Sequence, residues 1–178
     1  GLYMVARPEK ELLFFADTTV NISPDANTLA EIALLSASFV RSLGIEPRIA
    51  MVSFSNFGSV RHPEVTKVQD ALEMVRAQDP ELTIDGEMQA DRALNPAMLR
   101  EDYPFSPLRS PANILVFSTL SAANAAYKLM GQIGGAEVIG PVLLGMAKPV
   151  HVLQRGSTTQ DVFNLATIAA VDAQKPAG

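Results

Sequence analysis

The chain contains 178 residues, of which 48% are hydrophobic and 19% are charged, as in an ordinary soluble domain. Because it has no cysteine, disulfides, thiolate zinc sites and a cysteine nucleophile are excluded. The net charge of −5 argues against a nucleic-acid partner, and no apolar run approaches the roughly 18 to 20 residues of a membrane-spanning helix. We expect a cytoplasmic, metal-free domain, and the terminal residues Gly1 and Gly178 suggest a piece of a longer protein.

Strand and helix patterns alternate along the first part of the chain. Residues 12–16 predict a strand that is apolar on both faces, as in a sheet covered on both sides. Ser23 is placed to cap a following helix that has Pro24 at its first position, and Gly44 predicts the end of that helix. A second buried strand is predicted at residues 48–54.

The same alternation continues to the end of the chain. Pro63 predicts the start of a second helix, which ends before Pro80, and Asp85-Gly86 predicts a turn. The remaining predicted elements are a loop at 103–111, strands at 113–117, 138–144 and 150–153, and helices at 121–133 and 158–172. This order predicts a three-layer α/β/α fold with a mostly parallel sheet, which binds ligands at the carboxyl ends of its strands.

The segment 148–157 is the most informative candidate site, since it predicts a strand, a glycine-containing loop and a helix start. Free N–H groups at that helix start, together with the guanidinium of Arg155, favour an anionic ligand. In the alternative interpretation, Ser157 or Thr158 caps the helix, Gln160 or Asp161 completes a capping box, and Arg155 pairs with a surface carboxylate. Spacing alone favours the capping interpretation.

Two further clusters have both a functional and a structural interpretation. Asn124 and Lys128 are one helical turn apart, so both could face one ligand, although an exposed helix face explains them equally well. The carboxylates Asp85, Glu87 and Asp91 suggest a cation site or an acid/base pair, but turn chemistry explains Asp85-Gly86 without a metal.

Other common chemistries find no support in the sequence. The serines of residues 53–59 have no histidine partner within sequence reach, so a serine hydrolase is not expected. No glycine fingerprint follows the first predicted strand, and therefore we do not expect this chain to bind NADP by itself.

Several segments in order resemble the phosphate acetyltransferase and butyryltransferase family. They are residues 50–55, 85–91, 112–117, 124–129 and 135–150. The resemblance implies a phosphotransacetylase fold of the isocitrate/isopropylmalate dehydrogenase type, built from two subdomains around a cleft for CoA and acetyl phosphate. In this chain, residues 12–147 resemble the second subdomain, and residues 148–174 resemble the strand and helix that return to the first.

The same resemblance implies roles for three residues after the last predicted strand. Active family members have a serine-arginine pair and a later aspartate there, which orient the CoA thiol, hold phosphate and act as base. The corresponding residues here are Gln154, Arg155 and Asp161. Because a glutamine amide cannot replace the hydroxyl in a proton relay, we expect no catalysis, but ligand binding by Arg155 and Gln154, with Asn124 and Lys128.

Residues 149–153 and 169–174 also resemble the C-terminal tails of hybrid malic enzymes. This resemblance implies a regulatory domain that binds acetyl-CoA or a related acyl-CoA and builds the oligomer, while upstream domains hold NADP and a divalent metal. A fragment of an active phosphate acetyltransferase is the alternative, and a scaffold without ligand is a third hypothesis. We expect at least a homodimer, formed through apolar residues of the last helix, namely Val162, Leu165 and Ile168.

Overall fold

A single mixed sheet with helices on both faces forms the molecule, whose computed structural model describes residues 1–7 and 11–174. The strands are β1 (Leu2–Ala6), β2 (Leu13–Ala16), β3 (Arg48–Val52), β4 (Thr83–Met88), β5 (Ile114–Phe117) and β6 (Glu137–Val142). The helices are α1 (Ala26–Ser42), α2 (Pro63–Gln78), α3 (Ala90–Leu94), α4 (Pro96–Asp102), α5 (Leu120–Gln132) and α6 (Thr159–Asp172).

The strand order is β4-β3-β5-β2-β1-β6. The pairs β4-β3, β3-β5 and β5-β2 are parallel, whereas β1 pairs antiparallel with both β2 and β6. The predicted mostly parallel sheet is therefore confirmed. Because β2, β3, β4 and β5 run in one direction, the loops that follow them meet at one edge of the sheet.

Two apolar clusters fill the space between the sheet and its two helical layers. Strand β2 illustrates the division, since Phe14 packs into one cluster and Phe15 into the other. Helices α1, α2 and α6 contribute to the first cluster, and α3, α4 and α5 contribute to the second. The predicted three-layer α/β/α architecture is thus confirmed. Among the described helices, none is long and apolar enough to cross a membrane.

Capping residues explain where the first two helices begin and end. The side chain of Asp25 accepts a 2.8 Å hydrogen bond from the Thr28 backbone N–H, so Asp25 and not Ser23 is the cap. Helix α1 therefore begins at Ala26, two residues after the predicted first position Pro24. His62 caps α2 and Pro63 occupies its first position, as predicted. After α1, Gly44 adopts a φ of 75°, the left-handed conformation expected past a helix end.

Two predictions about local structure are wrong, and one strand was not predicted. Residues 2–6 form strand β1, which was missed although it is no shorter than the predicted strands β2 and β5. Residues 150–153 form no strand and keep only one bridge, between His151 and Val142. Asp85 and Gly86 lie inside β4 and not in a turn. Glycine is needed at position 86 because a side chain there would lie 2.7 Å from the Met51 carbonyl oxygen.

The C-terminal segment packs against the same sheet as the rest of the described chain. Leu165 of α6 is only 5% exposed and belongs to the first apolar cluster. Leu165 is therefore buried within this chain, which corrects its predicted place on a dimer surface. The boundary near residue 147 between two subdomains stays a prediction.

Candidate functional site

A tight turn carries Gln154 and Arg155 away from the sheet. The backbone N–H and the hydroxyl of Ser157 both donate to the carbonyl oxygen of Gln154, over 3.1 and 2.8 Å. Gly156 sits at the third turn position with a φ of 86°, which favours glycine there. Arg155 therefore occupies the corner of the turn. Its guanidinium is exposed and has no ion pair or hydrogen bond among the residues that the structure describes.

Helix α6 begins directly after this turn with a complete capping box. The hydroxyl of Thr158 accepts from the Asp161 backbone N–H over 3.2 Å, and Asp161 Oδ2 accepts from the Thr158 backbone N–H over 2.7 Å. The bond from the Thr158 N–H is the main reason that the pKa of Asp161 lies below its usual range. The capping interpretation with Thr158 and Asp161 is thus what the structure shows. An anion at this helix start would meet the Asp161 carboxylate.

Two stacked tyrosines connect the turn to the sheet. The side-chain amide of Gln154 donates a 2.8 Å hydrogen bond to the hydroxyl of Tyr3 on β1. The Tyr3 and Tyr127 rings stack with centroids 4.0 Å apart and planes inclined by 13°. Gly140 permits this arrangement, since a side chain there would lie 2.7 Å from Cδ1 of Tyr3. The Asn124 amide then donates to the Tyr127 hydroxyl over 3.5 Å.

Burial raises the pKa of the Tyr3 hydroxyl, and its neighbour Tyr127 raises it further through hydrogen bonding. The phenol therefore keeps its proton throughout the physiological pH range. It can act as a hydrogen-bond donor there, but not as a base.

These residues border an open cavity of about 230 Å³. The cavity combines one cation, Arg155, one carboxylate, Asp161, several neutral hydrogen-bonding groups and little apolar surface. Its lining residues are Tyr3, Tyr127, Val138, Gly140, Gln154, Arg155, Gly156, Ser157 and Asp161. The structure therefore brings together three of the predicted site residues, Gln154, Arg155 and Asp161. Such a cavity suits a ligand with both a negative charge and hydrogen-bonding oxygens.

The other two predicted ligand residues are placed less directly. Asn124 reaches the cavity only through Tyr127, and it also donates to the Thr18 carbonyl oxygen over 3.5 Å. Lys128 is exposed on α5 and is not among the residues that line the cavity. A role for Lys128 in binding stays a prediction.

The three carboxylates of the acidic cluster have separate partners. Asp85 pairs with Arg76 over 2.7 Å, and Asp91 pairs with Arg92. Glu87 is fully buried and accepts hydrogen bonds from Ser55, Gln69 and the Gly58 backbone N–H, between 2.7 and 2.9 Å. Within residues 1–7 and 11–174, no three or more His, Asp or Glu side chains form a group that could hold a metal ion. These contacts give the cluster a structural explanation.

Sequence reasoning missed Tyr3 and Tyr127 as site residues. Tyr127 lies between Asn124 and Lys128 in a segment that was singled out, but only Asn124 and Lys128 were considered as ligand contacts. Tyr3 carried no signal, because β1 itself was not predicted. Only the antiparallel pairing of β1 with β6 brings its hydroxyl beside Gln154.

The mixed sheet between two helical layers has the fold of solved phosphotransacetylases. The chain belongs to the Phosphate acetyl/butaryl transferase family, whose sequence profile matches residues 2–170. The resemblance seen in the sequence is therefore confirmed.

Three similar proteins place the chain within this family. It is 43% identical to the phosphate acetyltransferase of Bacillus subtilis, a match that covers 97% of this chain and 53% of that protein. It is 48% identical to the NADP-dependent malic enzyme of Escherichia coli, covering 90% of this chain and 21% of that enzyme. The crystal structure of a phosphotransacetylase from Streptococcus pyogenes has a TM-score of 0.93 at 40% identity, covering 97% of this chain and 53% of that one. The chain thus spans about half the length of the phosphate acetyltransferase relatives.

Proposed function

We propose that this chain binds an acyl-CoA, with acetyl-CoA as the first candidate, in the cavity beside the turn of Gln154 and Arg155. The observation that carries the proposal is Arg155, an exposed guanidinium without a carboxylate partner among the described residues, at the rim of a polar cavity. A guanidinium forms paired hydrogen bonds with phosphate oxygens, which CoA carries. Gln154 adds an amide next to it, and this amide suits the polar atoms of a thioester or pantetheine chain.

We further propose that this binding is regulatory instead of catalytic. Gln154 stands where the family resemblance expects a serine hydroxyl, and its neutral amide neither releases nor takes up a proton in a relay. Asp161, which would be the base, accepts two hydrogen bonds from Thr158 and has a lowered pKa. Both features weaken a proton-transfer mechanism. The match to the C-terminal part of a malic enzyme supports a module that responds to acetyl-CoA within a larger oxidoreductase.

A second candidate is acyl transfer between CoA and phosphate. The comparisons support it at least as well as regulation, because the phosphate acetyltransferase match covers more of this chain than the malic enzyme match does. The solved phosphotransacetylase also superposes over 97% of the chain. In this candidate Arg155 holds phosphate and Asp161 is released from the capping box when substrate binds.

Regulation requires that acetyl-CoA bind one arrangement of the oligomer more tightly than another. A coupling free energy of about 1 to 3 kcal/mol between acetyl-CoA and an upstream NADP- and metal-dependent active site is typical of such systems. Exposed apolar side chains on α6 support a homodimer or larger oligomer. They are Val162, Phe163 and Val171, with Phe163 being 64% exposed. We place the protein in the cytoplasm, consistent with its lack of cysteine.

The test uses the complete protein that contains this chain. Calorimetry with acetyl-CoA measures binding, and formation of acetyl phosphate from acetyl-CoA and phosphate measures turnover. Binding without turnover is the expected result, and it should survive in the presence of saturating phosphate. Robust turnover would support the transferase candidate, and no binding of any acyl-CoA would contradict both.

A further inference from the structure

The geometry points to a specific contact for the acyl group: we propose that the Tyr3 and Tyr127 pair donates one phenolic hydrogen bond to the thioester carbonyl oxygen of the bound acyl-CoA. The inference rests on the proposed acyl-CoA binding and names the part of the ligand that the pair recognises. It makes Tyr3 and Tyr127 binding residues, in addition to Arg155 and Gln154.

The first step of the argument is location. Both tyrosines line the same cavity as Arg155, and both are almost completely buried, at 4% and 6% exposure. Their rings are fixed by the stacking and by the close approach of Gly140. The hydroxyls therefore sit at a defined place in the cavity wall, on side chains that cannot turn away.

The second step is a count of protons. The Tyr3 hydroxyl oxygen accepts from Gln154, and the Tyr127 hydroxyl oxygen accepts from Asn124. Each phenol also has one proton to donate. Among the described residues, neither hydroxyl has an acceptor other than its neighbour in the pair, and a bond between the two uses only one proton. At least one O–H group is therefore left without an acceptor.

A buried donor without an acceptor is energetically costly unless water or a ligand completes it. Both tyrosines line the cavity, so a ligand oxygen bound there can accept the hydrogen bond.

The character of the donor selects the kind of oxygen. The exposed guanidinium of Arg155 at the cavity rim suits the phosphates of CoA. The buried tyrosines instead form an uncharged part of the cavity wall. A neutral phenolic O–H group suits a neutral carbonyl oxygen. The two ends of an acyl-CoA thus match two distinct parts of one cavity.

The test compares acetyl-CoA with CoA, which has the same phosphates but no acyl carbonyl. Tyr127→Phe, Tyr3→Phe and the double variant of the complete protein keep the rings and remove the hydroxyls. In the double variant we expect the preference for acetyl-CoA over CoA to fall roughly 3- to 10-fold, the value of one neutral hydrogen bond, because loss of the Tyr3 anchor of Gln154 affects both ligands alike. A merely structural role would weaken both ligands equally, and that result, or no change at all, would overturn the inference.

A second measurement needs no variant, in case the substitutions prevent folding. The wild-type protein should bind acetyl-CoA roughly 3- to 10-fold more tightly than S-ethyl-CoA, which has nearly the same size but no carbonyl oxygen. Equal affinities would overturn the inference even though acyl-CoA binding itself remains. If the wild-type protein binds neither acetyl-CoA nor CoA, the proposed function fails instead, so the two failures are distinguishable.

Discussion

Gln154 and Tyr3 are joined by a 2.8 Å hydrogen bond from the glutamine amide to the phenol oxygen, although they are 151 residues apart. The bond ties the turn before α6 to β1, the strand that lies between β2 and β6. It orients the Gln154 side chain while its carbonyl oxygen remains able to accept from a ligand. The candidate site is therefore positioned by contacts between the two ends of the chain.

Gly86→Ala should destabilise the protein by about 3 kcal/mol, since the new Cβ would lie 2.7 Å from the Met51 carbonyl oxygen. Urea unfolding followed by circular dichroism measures the change. Gly44→Ala is a matched control, because Gly44 also has a positive φ but no atom within 4 Å of the new Cβ. We expect the control to cost about 1 kcal/mol from backbone strain alone. Equal costs for the two variants would contradict the packing seen between β3 and β4.

Thr158→Ala should lower the free energy of unfolding by about 1 kcal/mol, because the variant loses the side-chain oxygen that caps α6. Thr158→Ser keeps an acceptor oxygen and should retain most of the stability. Thermal unfolding of both variants provides the measurement. An alanine variant as stable as the serine variant would mean that the capping box of Thr158 and Asp161 contributes little.

His151 should make stability depend on pH. Its Nδ1 accepts from the Leu143 backbone N–H over 3.4 Å, while Nε2 is buried without a partner among the described residues. Burial lowers the pKa of His151, and Asp172 opposes this shift only in part. The unfolded chain therefore binds the proton more readily than the folded chain does.

The sign of the effect follows from this difference. The contribution of His151 is complete above the unfolded pKa of about 6.5, and it is lost as the pH falls from there through the folded pKa. The free energy of unfolding should thus decrease on acidification below about pH 6.5. His151→Asn removes the titrating group but keeps an acceptor, so its urea unfolding curves should change less between pH 7 and pH 5. Identical pH profiles for the two proteins would rule out this role.

The sequence was sufficient to predict the layers of the fold, because burial on both faces leaves a local signal. The apolar runs of β2, β3 and β5 and the stripe of α2 each show this signal within a few residues. Glycines were harder to interpret. Gly44 acts locally at a helix end, but the need for Gly86 comes from Met51 on a neighbouring strand, so it looked like a turn residue.

The candidate site was only partly predictable, for the same physical reason. Residue type and spacing identified Arg155 and the capping residue Asp161, whereas Gln154 was assigned from the family resemblance. The contribution of Tyr3 depends on an antiparallel pairing between distant segments, which spacing cannot reveal. Only the side-chain geometry shows that Asp161 accepts hydrogen bonds from Thr158. The sequence could not distinguish the two interpretations of this helix start, because both use the same residues.

The most direct test of acyl-CoA binding is the affinity of Arg155→Ala for acetyl-CoA, measured by calorimetry on the complete protein. Loss of a charged hydrogen-bonding contact should weaken binding by roughly 10- to 100-fold. Arg100→Ala, which removes an exposed arginine of α4 outside the cavity, should bind like the wild type. If Arg155→Ala binds acetyl-CoA as tightly as the wild type does, Arg155 is not an anchor of the ligand, and the proposed site is contradicted.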